Sequence, residues 1–222
     1  MPDDSDPPDI AGSPPDSPAV GPALAAGTAL FNEGYRLAAH EPWEAAWLQL
    51  DAGDDERLLH GLIAAAAATH HATERNWSGA VGCAENAVGY LGAVDETHRG
   101  FAVETAREWC RRLAADPEAV ERGSPPSFRI DGTAVRLSTL GLAATLSAVP
   151  ALATAVDAGD EETFSAAATL AREEYATGRT QVTELLFAFL RQPDARPQIA
   201  ARIADHVDLA RRERRDVSGL FK

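Results

Sequence analysis

Two residues suited to metal binding or proton transfer, His40 and Glu44, lie four positions apart. On a continuous helix this spacing brings an imidazole and a carboxylate together on one face, as divalent-metal or acid/base chemistry requires. Trp47 follows three positions later and would flank that face. We therefore expect a site for a divalent metal ion or a small ligand at His40 and Glu44, with Trp47 as an accessory residue.

Further donors to this site are expected from elsewhere in the chain, and the accessory candidates are Glu41, Asn32 and His70. His70 also lies on an apolar stripe, where a histidine is more often a hydrogen-bonded core residue than a ligand. His60 and His71 are about three helical turns apart, roughly 16 Å, so they cannot bind one ion together. His40 and Glu44 alone are too few to make a metal site.

The same residues also fit a structural role. Pro42 is expected to interrupt the preceding helix and to take the first position of a new one. Glu44 would then lie near the third helical position, where a carboxylate can accept hydrogen bonds from free backbone N–H groups. A buried His40 that donates to Glu44 or to a carbonyl would be a satisfied pair. In this alternative the chain is a structural or protein-interaction module, and both residues pack and cap.

A third hypothesis is enzymatic. Glu44 or Glu41 would activate a water molecule beside a bound metal ion, which would make the chain a metal-assisted hydrolase. Such a site needs a third ligand and an open coordination position. The sequence contains no glycine-rich phosphate loop and no G-x-S-x-G, H-E-x-x-H or C-x-x-C motif. Whether the chain is an enzyme stays open at this point.

The motif resembles the signature of a known family, the domain of unknown function 309. That signature is H-x-x-x-E-x-x-W/Y, and His40, Glu44 and Trp47 match it. The resemblance covers roughly residues 28–92 and includes the segments FNEG and GLI, which are similar to an F-N-x-G lead-in and a G-L-I helix of the family. It implies a compact helical bundle and metal binding at the motif, but no particular reaction.

Composition predicts an all-α fold, a compact multi-helix bundle. The chain has 222 residues, 45 of them alanine, and only 6% are aromatic, which favours helices over strands. We expect at most a minor β-hairpin near residues 128–136, where Asp131 and Gly132 suit a tight turn.

The chain is expected to form one helical domain over residues 23–222. Its family core would span residues 23–115, and residues 134–222 would pack on that core as a helical extension. Residues 1–22 hold seven prolines and five aspartates without a basic side chain, a composition typical of a disordered acidic tail.

Helix boundaries follow from apolar periodicity and breaking residues. A hub helix is expected from Asp54 through His70, and Asn76 is the expected N-cap of the next helix. Later helices are expected over residues 97–115, 137–156, 160–175, 180–191 and 197–215.

The formal net charge of −14 makes nucleic acid an unsuitable main partner. The basic residues are 19 arginines and one lysine. An acidic, arginine-rich, alanine-rich chain resembles proteins of salt-accumulating halophilic archaea, although a high-GC genome produces a similar bias. The arginines at residues 211–215 either stay solvated at a helix end or contact an acidic surface. A homo-oligomer or another protein partner is left open.

A cytoplasmic location is expected from several features of the sequence. Cys83 and Cys110 are too few for a disulfide framework, and no basic and apolar leader is visible at the N-terminus. Residues 137–156 carry no charge, but their alanine, serine and threonine content is too polar for a membrane span. We therefore expect no membrane partner.

Overall fold

The computed structural model describes residues 20–219, with side chains to residue 215. The expected acidic tail falls mostly on residues 1–19, which lie outside the described residues. Residues 20–22, which we had assigned to that tail, instead form the first turn of helix α1. In the N-terminal half the helices are α1 (Val20–Asn32), α2 (His40–Trp47), α3 (Asp54–Thr73), α4 (Trp77–Gly92), α5 (Val103–Ala115) and the short α6 (Ala119–Arg122).

The C-terminal half is also helical, and the predicted all-α class is confirmed. Its helices are α7 (Leu142–Ala155), α8 (Glu161–Thr177), α9 (Gln181–Arg191) and α10 (Arg196–Gly219), with single 3-10 turns at Leu137–Thr139 and Pro193–Ala195. In the described part of the chain no helix is long and apolar enough to cross a membrane.

The core consists of two clusters. The larger one joins α1, α2 and part of α3 to α7, α8, α9 and α10, so both halves of the chain share it. The smaller one lies between α3, α4 and α5 and is built mainly from alanines around Trp109 and Leu113. Alanine faces allow these three helices to approach closely. Helix α3 contributes residues to both clusters.

A small antiparallel sheet exceeds our expectation of one hairpin. The expected hairpin is present as β3 (Arg129–Ile130) and β4 (Thr133–Ala134), with Asp131 and Gly132 both at positive φ. A second hairpin pairs β1 (Thr97–His98) with β2 (Phe101–Ala102), and β2 pairs with β3 to give the order β1-β2-β3-β4.

The helix expected from residue 97 is therefore wrong over its first six residues. Arg99 and Gly100 have φ values of 49° and 75°, the left-handed pair that a two-residue hairpin turn requires. Helix α5 begins only at Val103, after this hairpin ends.

The arginine cluster at the end of the chain contacts an acidic surface within the molecule. Arg211 of α10 donates to Glu162 of α8 at 2.8 Å, and Arg214 donates to Glu173 at 2.7 Å. These ion pairs run along the α8–α10 interface and help to hold the last helix against the bundle.

Candidate functional site

Helix α2 carries the motif on one continuous stretch of helix. It begins at His40, two residues before the expected start, and Pro42 occupies its third position. Proline fits there because the first backbone N–H groups of a helix have no partner within it. His40, Glu44 and Trp47 therefore lie within about 60° of one another around the α2 axis, as the spacing predicted.

The position of α2 is fixed by Trp43, which is completely buried. Its indole Nε1 lies 3.4 Å from the Leu24 carbonyl of α1. Its ring also covers Gly27, where a Cβ atom would lie only 2.3 Å from the indole. Because any larger residue would collide with the ring, Gly27 lets α1 and α2 approach closely and so sets the direction in which the motif face points.

The face of α2 that carries His40, Glu44 and Trp47, here called the motif face, is turned toward helix α3. His40 is half-buried. It lies close enough to the Ile63 carbonyl and to His70 for both groups to affect the pKa of its imidazole. Burial lowers the pKa of the His40 imidazole. Glu44 and the Ile63 carbonyl raise this pKa and so oppose part of the effect of burial, whereas His70 lowers it slightly further. The net shift favours a neutral imidazole.

One atom of His40 is left without a partner. Nε2 is buried and accepts or donates no hydrogen bond within the described residues. Buried polar atoms without a partner are rare because each costs about 1–3 kcal/mol. Five other buried side-chain atoms of the described residues also lack a partner, but among these atoms only Nε2 of His40 belongs to the predicted motif.

An aromatic and polar cluster continues the face at the other end of α2. Trp47 Nε1 donates to Glu56 Oε1 at 2.9 Å, and the same oxygen lies 3.3 Å from His60 Nδ1. The His60 ring lies 3.8 Å from the ring of Tyr90 on α4, nearly parallel to it, and 4.5 Å from the Trp47 ring. All four side chains are partly exposed, so they form one wall of an open site.

Glu44 points into solvent between these two ends of the face. It is exposed and forms no hydrogen bond or ion pair with the described residues. The expected capping role of Glu44 is wrong, because no side chain caps the start of α2 and Glu44 is the fifth residue of the helix. A carboxylate with no partner beside a buried imidazole is free to bind a ligand.

The accessory candidates lie in different places. His70 is close to His40, and Trp47 belongs to the aromatic wall. Glu41 lies toward Glu161 of α8, and burial, with the nearby Glu161 and Glu44, raises the pKa of its carboxyl. Of these three, His70 and Trp47 are at the motif face.

Asn32 is fully used in a structural connection. Its Nδ2 donates to the carbonyls of Phe128 and Val135, both at 2.9 Å, and its Oδ1 accepts from the Phe128 backbone N–H at 2.7 Å. Glu33 beside it accepts from the Leu137 N–H at 2.9 Å. The FNEG segment thus ties the end of α1 to the β3–β4 hairpin and has no free group to offer a ligand.

His40 and Glu44 are the metal ligands that the sequence predicted for this face. Among the described residues no group of three or more histidine, cysteine, aspartate or glutamate side chains is placed to hold one. A metal at this face would therefore take most of its ligands from water or from a bound molecule.

Sequence reasoning missed the contributions of Glu56 and Tyr90. Glu56 and His60 have the same four-residue spacing as His40 and Glu44, and this spacing is a signal that the sequence alone contains. Tyr90 had no local signal, because its contact with His60 depends on how α4 returns along α3.

Comparison with known proteins identifies one similarity. The model of the family described as Domain of unknown function (DUF309) matches residues 24–83, about a quarter of the chain, so this segment is similar to that family. No curated protein matches the chain significantly. The matched segment contains most of α1, all of α2 and α3 and the first turns of α4, and therefore most of the motif face, whereas Tyr90 and the whole C-terminal half lie outside it.

Proposed function

We propose that the motif face is a binding site for a small polar ligand that carries a protonated amine. The observation that carries the proposal is the buried and unpartnered Nε2 of His40. A lowered pKa favours the neutral imidazole, in which one ring nitrogen is an acceptor, and the unpartnered Nε2 is placed to offer that lone pair to a ligand. An ammonium group supplies the hydrogen-bond donor that this lone pair needs.

Charge and shape support the same ligand class. Glu44 and Glu56 place two carboxylates along a face on which burial disfavours the charged form of His40, so the site favours a cation. Trp47, His60 and Tyr90 form an aromatic wall beside them, and aromatic faces attract organic cations. A small ammonium ligand is thus anchored at His40 and Glu44, with its apolar part against the aromatic wall.

A divalent metal ion is the second candidate, because a neutral imidazole and a carboxylate at four-residue spacing are suitable donors. The metal-assisted hydrolase hypothesis is less well supported, since no third protein ligand lies within the described residues. We also propose that the module works in the cytoplasm, in keeping with the free thiols of Cys83 and Cys110.

The test is a titration of the full chain with three probes: butylammonium, butyrate and Zn²⁺. Imidazole ¹⁵N resonances report which probe reaches His40. We expect butylammonium to shift the Nε2 resonance saturably, butyrate to leave it unchanged, and binding to weaken as pH falls below about 6.5 because the probe competes with a proton.

Variants make the titration specific. His40→Gln and Glu44→Gln should each weaken butylammonium binding roughly tenfold, the usual effect of losing one charge-assisted hydrogen bond. His206→Gln and Glu85→Gln, which alter the same residue types on other faces, should leave it unchanged. A Zn²⁺ response without a butylammonium response would favour the metal site, and no saturable response to any probe would leave the structural module as the better account.

A further inference from the structure

Helix α2 has a second functional face, opposite the motif. Pro42, Ala45 and Ala46 line an apolar groove of about 610 Å³ between the start of α1, α2, α7 and α8. At 100° per residue these positions lie on the far side of α2 from His40, Glu44 and Trp47. The groove is therefore separate from the motif face, although one helix positions both.

The walls of the groove are almost entirely apolar. Leu142 and Leu146 of α7 form the wall opposite α2, and Ala23 of α1 closes one end. A cleft of this volume, lined by apolar side chains with a few polar groups, is typical of small-molecule sites. Its apolar surface favours the hydrocarbon part of a ligand over water.

The polar residues that line the groove are Gln49, Ser147 of α7 and two residues of α8, Arg172 and Tyr175. Arg172 is the single charged residue among those that line it, and it forms no ion pair or hydrogen bond with any described residue. Tyr175, one helical turn later, is 68% exposed at the same rim. In a chain with 34 acidic residues, an apolar cleft that has an unpaired guanidinium as the one charge among its described lining residues favours an anion.

We propose that this groove binds an amphiphilic carboxylate, a molecule with one anionic head and an aliphatic body. The body lies between α2 and α7 against Ala45, Ala46 and Leu146. The carboxylate pairs with the Arg172 guanidinium, which can hold both of its oxygens, and the Tyr175 hydroxyl supplies a further donor. The opposite polarity of the motif face, which carries carboxylates, excludes this ligand there.

Dodecanoate is the probe for the test, with full-length protein at one fixed ionic strength and calorimetry as the measurement. Butyrate has the head without the long body, and dodecyltrimethylammonium has the body with a cationic head. We expect saturable binding of dodecanoate at one site, weak binding of butyrate and no site-specific binding of the cation.

Charge reversal at the rim is the decisive variant. Arg172→Glu should weaken dodecanoate binding roughly tenfold, since an attractive contact becomes repulsive. Arg202→Glu makes the same charge change on the exposed side of α10 and should have no effect. A nitroxide-labelled fatty acid should broaden the NMR signals of Ala45 and Ala143 in the native protein but not in Arg172→Glu.

Other outcomes would overturn the proposal. Equal binding of dodecanoate and dodecyltrimethylammonium, or binding unaffected by Arg172→Glu, would mean unspecific adsorption. Binding that appears only after deletion of residues 1–19 would identify that segment as the occupant. A dimer that dissociates on Arg172→Glu, without dodecanoate binding, would identify a second copy of the chain. His40→Gln should leave dodecanoate binding unchanged, so failure of the motif-face proposal and failure of this one are distinguishable.

Discussion

His40 combines two properties that support the proposed binding role over a packing role. Its imidazole is held in place by the surrounding helices, yet its buried Nε2 has no partner. A packing histidine would use both nitrogens, because an unsatisfied one costs free energy. The chain therefore carries a local destabilisation at the face where the proposal places a ligand, as is common at functional sites.

The first prediction follows from this cost. His40→Leu removes the unsatisfied nitrogen and keeps an apolar side chain of similar reach, so the free energy of unfolding should rise by about 1 kcal/mol while ligand binding is lost. Urea denaturation of both proteins at pH 7.5 measures the difference. A loss of stability of about 2 kcal/mol or more would instead show that His40 supports the fold.

The carboxylate of Asp55 has a structural role, because it connects two elements of the fold. It accepts from His98 Nε2 at 2.7 Å and from Arg99 Nη2 at 2.6 Å, which fastens the β1–β2 hairpin to the start of α3. The hydrogen bond from Arg99 is the main reason that the pKa of the Asp55 carboxyl is lowered to about 2. Burial opposes this shift, and the hydrogen bond from His98 adds to it.

The second prediction tests this connection. A carboxyl whose pKa is lower in the folded state stabilises the fold above its ordinary pKa of 3.8, and that stability is lost as pH falls toward 2. Asp55→Asn should therefore cost roughly 2 kcal/mol at pH 7 and progressively less below pH 4. Asp54→Asn, at an exposed neighbour, should cost under about 0.5 kcal/mol at either pH. Equal costs for the two variants would contradict the connection.

At the scale of elements, close helix packing depends on particular glycines. Helix α4 contains Gly79, Gly82 and Gly89, small residues that could permit close packing. In the structure Gly82 and Gly89 are exposed, and a Cβ there would meet nothing within 4 Å. The close approaches occur instead at Gly27, against Trp43, and at Gly61, where a Cβ would lie 2.6 Å from the Leu91 side chain.

The third prediction compares the two kinds of glycine. Gly27→Ala forces Trp43 or α1 to move and should destabilise the fold by about 2 kcal/mol, as overpacking does. Gly89→Ala adds a methyl group to an open helix position and should stabilise it by about 0.5–1 kcal/mol. Thermal unfolding followed by circular dichroism measures both changes. The interpretation of Gly27 as the contact that positions α2 requires these two effects to have opposite signs.

Local signals in the sequence were sufficient for some elements. Acidic residues from Asp54 and the side chain of Asn76, which accepts from the Gly79 N–H at 3.1 Å, mark real helix starts. The β1–β2 hairpin was missed because its turn places Arg99, a residue with no strong left-handed preference, at positive φ. Tertiary contacts that hold the hairpin, such as the Asp55 ion pair, override local preference there.

Only the part of the candidate site that lies on a single helix could be predicted from the sequence. Four-residue spacing was enough to place His40 and Glu44 on one face of α2. The wall formed by Tyr90 depends on the register between α3 and α4, which is set by the turn at Arg75, a residue with φ of 58°. No periodicity in either helix encodes that register, so the wall could not be derived from sequence.

At the scale of the whole molecule, several arginine and carboxylate pairs connect different elements, while others, such as Arg107 with Glu104, lie within one helix. Arg75 pairs with Glu121 at 2.8 Å across the α3–α6 contact, and Arg211 and Arg214 pair along α8 and α10. Arg196 is the buried exception, with its guanidinium bound to the Phe189 carbonyl at 3.1 Å and the Tyr35 hydroxyl at 3.0 Å. These contacts use part of the basic charge locally and leave the acidic excess to repel across the surface.

The last prediction concerns salt. A net charge of −14 opposes the compact state, and an alanine-rich core buries little apolar area per residue. Salt screens the repulsion between surface charges progressively, with a Debye length of about 8 Å at 0.15 M, and at higher concentrations it also strengthens apolar burial. The melting temperature should therefore keep rising with KCl well above about 1 M, where the Debye length is only about 3 Å.

Deleting residues 1–19 removes five aspartates and brings the formal charge to −9, so the melting temperature of the truncated chain should rise less steeply with KCl below 1 M and equally steeply above it. Differential scanning calorimetry of both proteins gives the two slopes, and a flat response of the full chain would remove the charge argument together with the halophile interpretation.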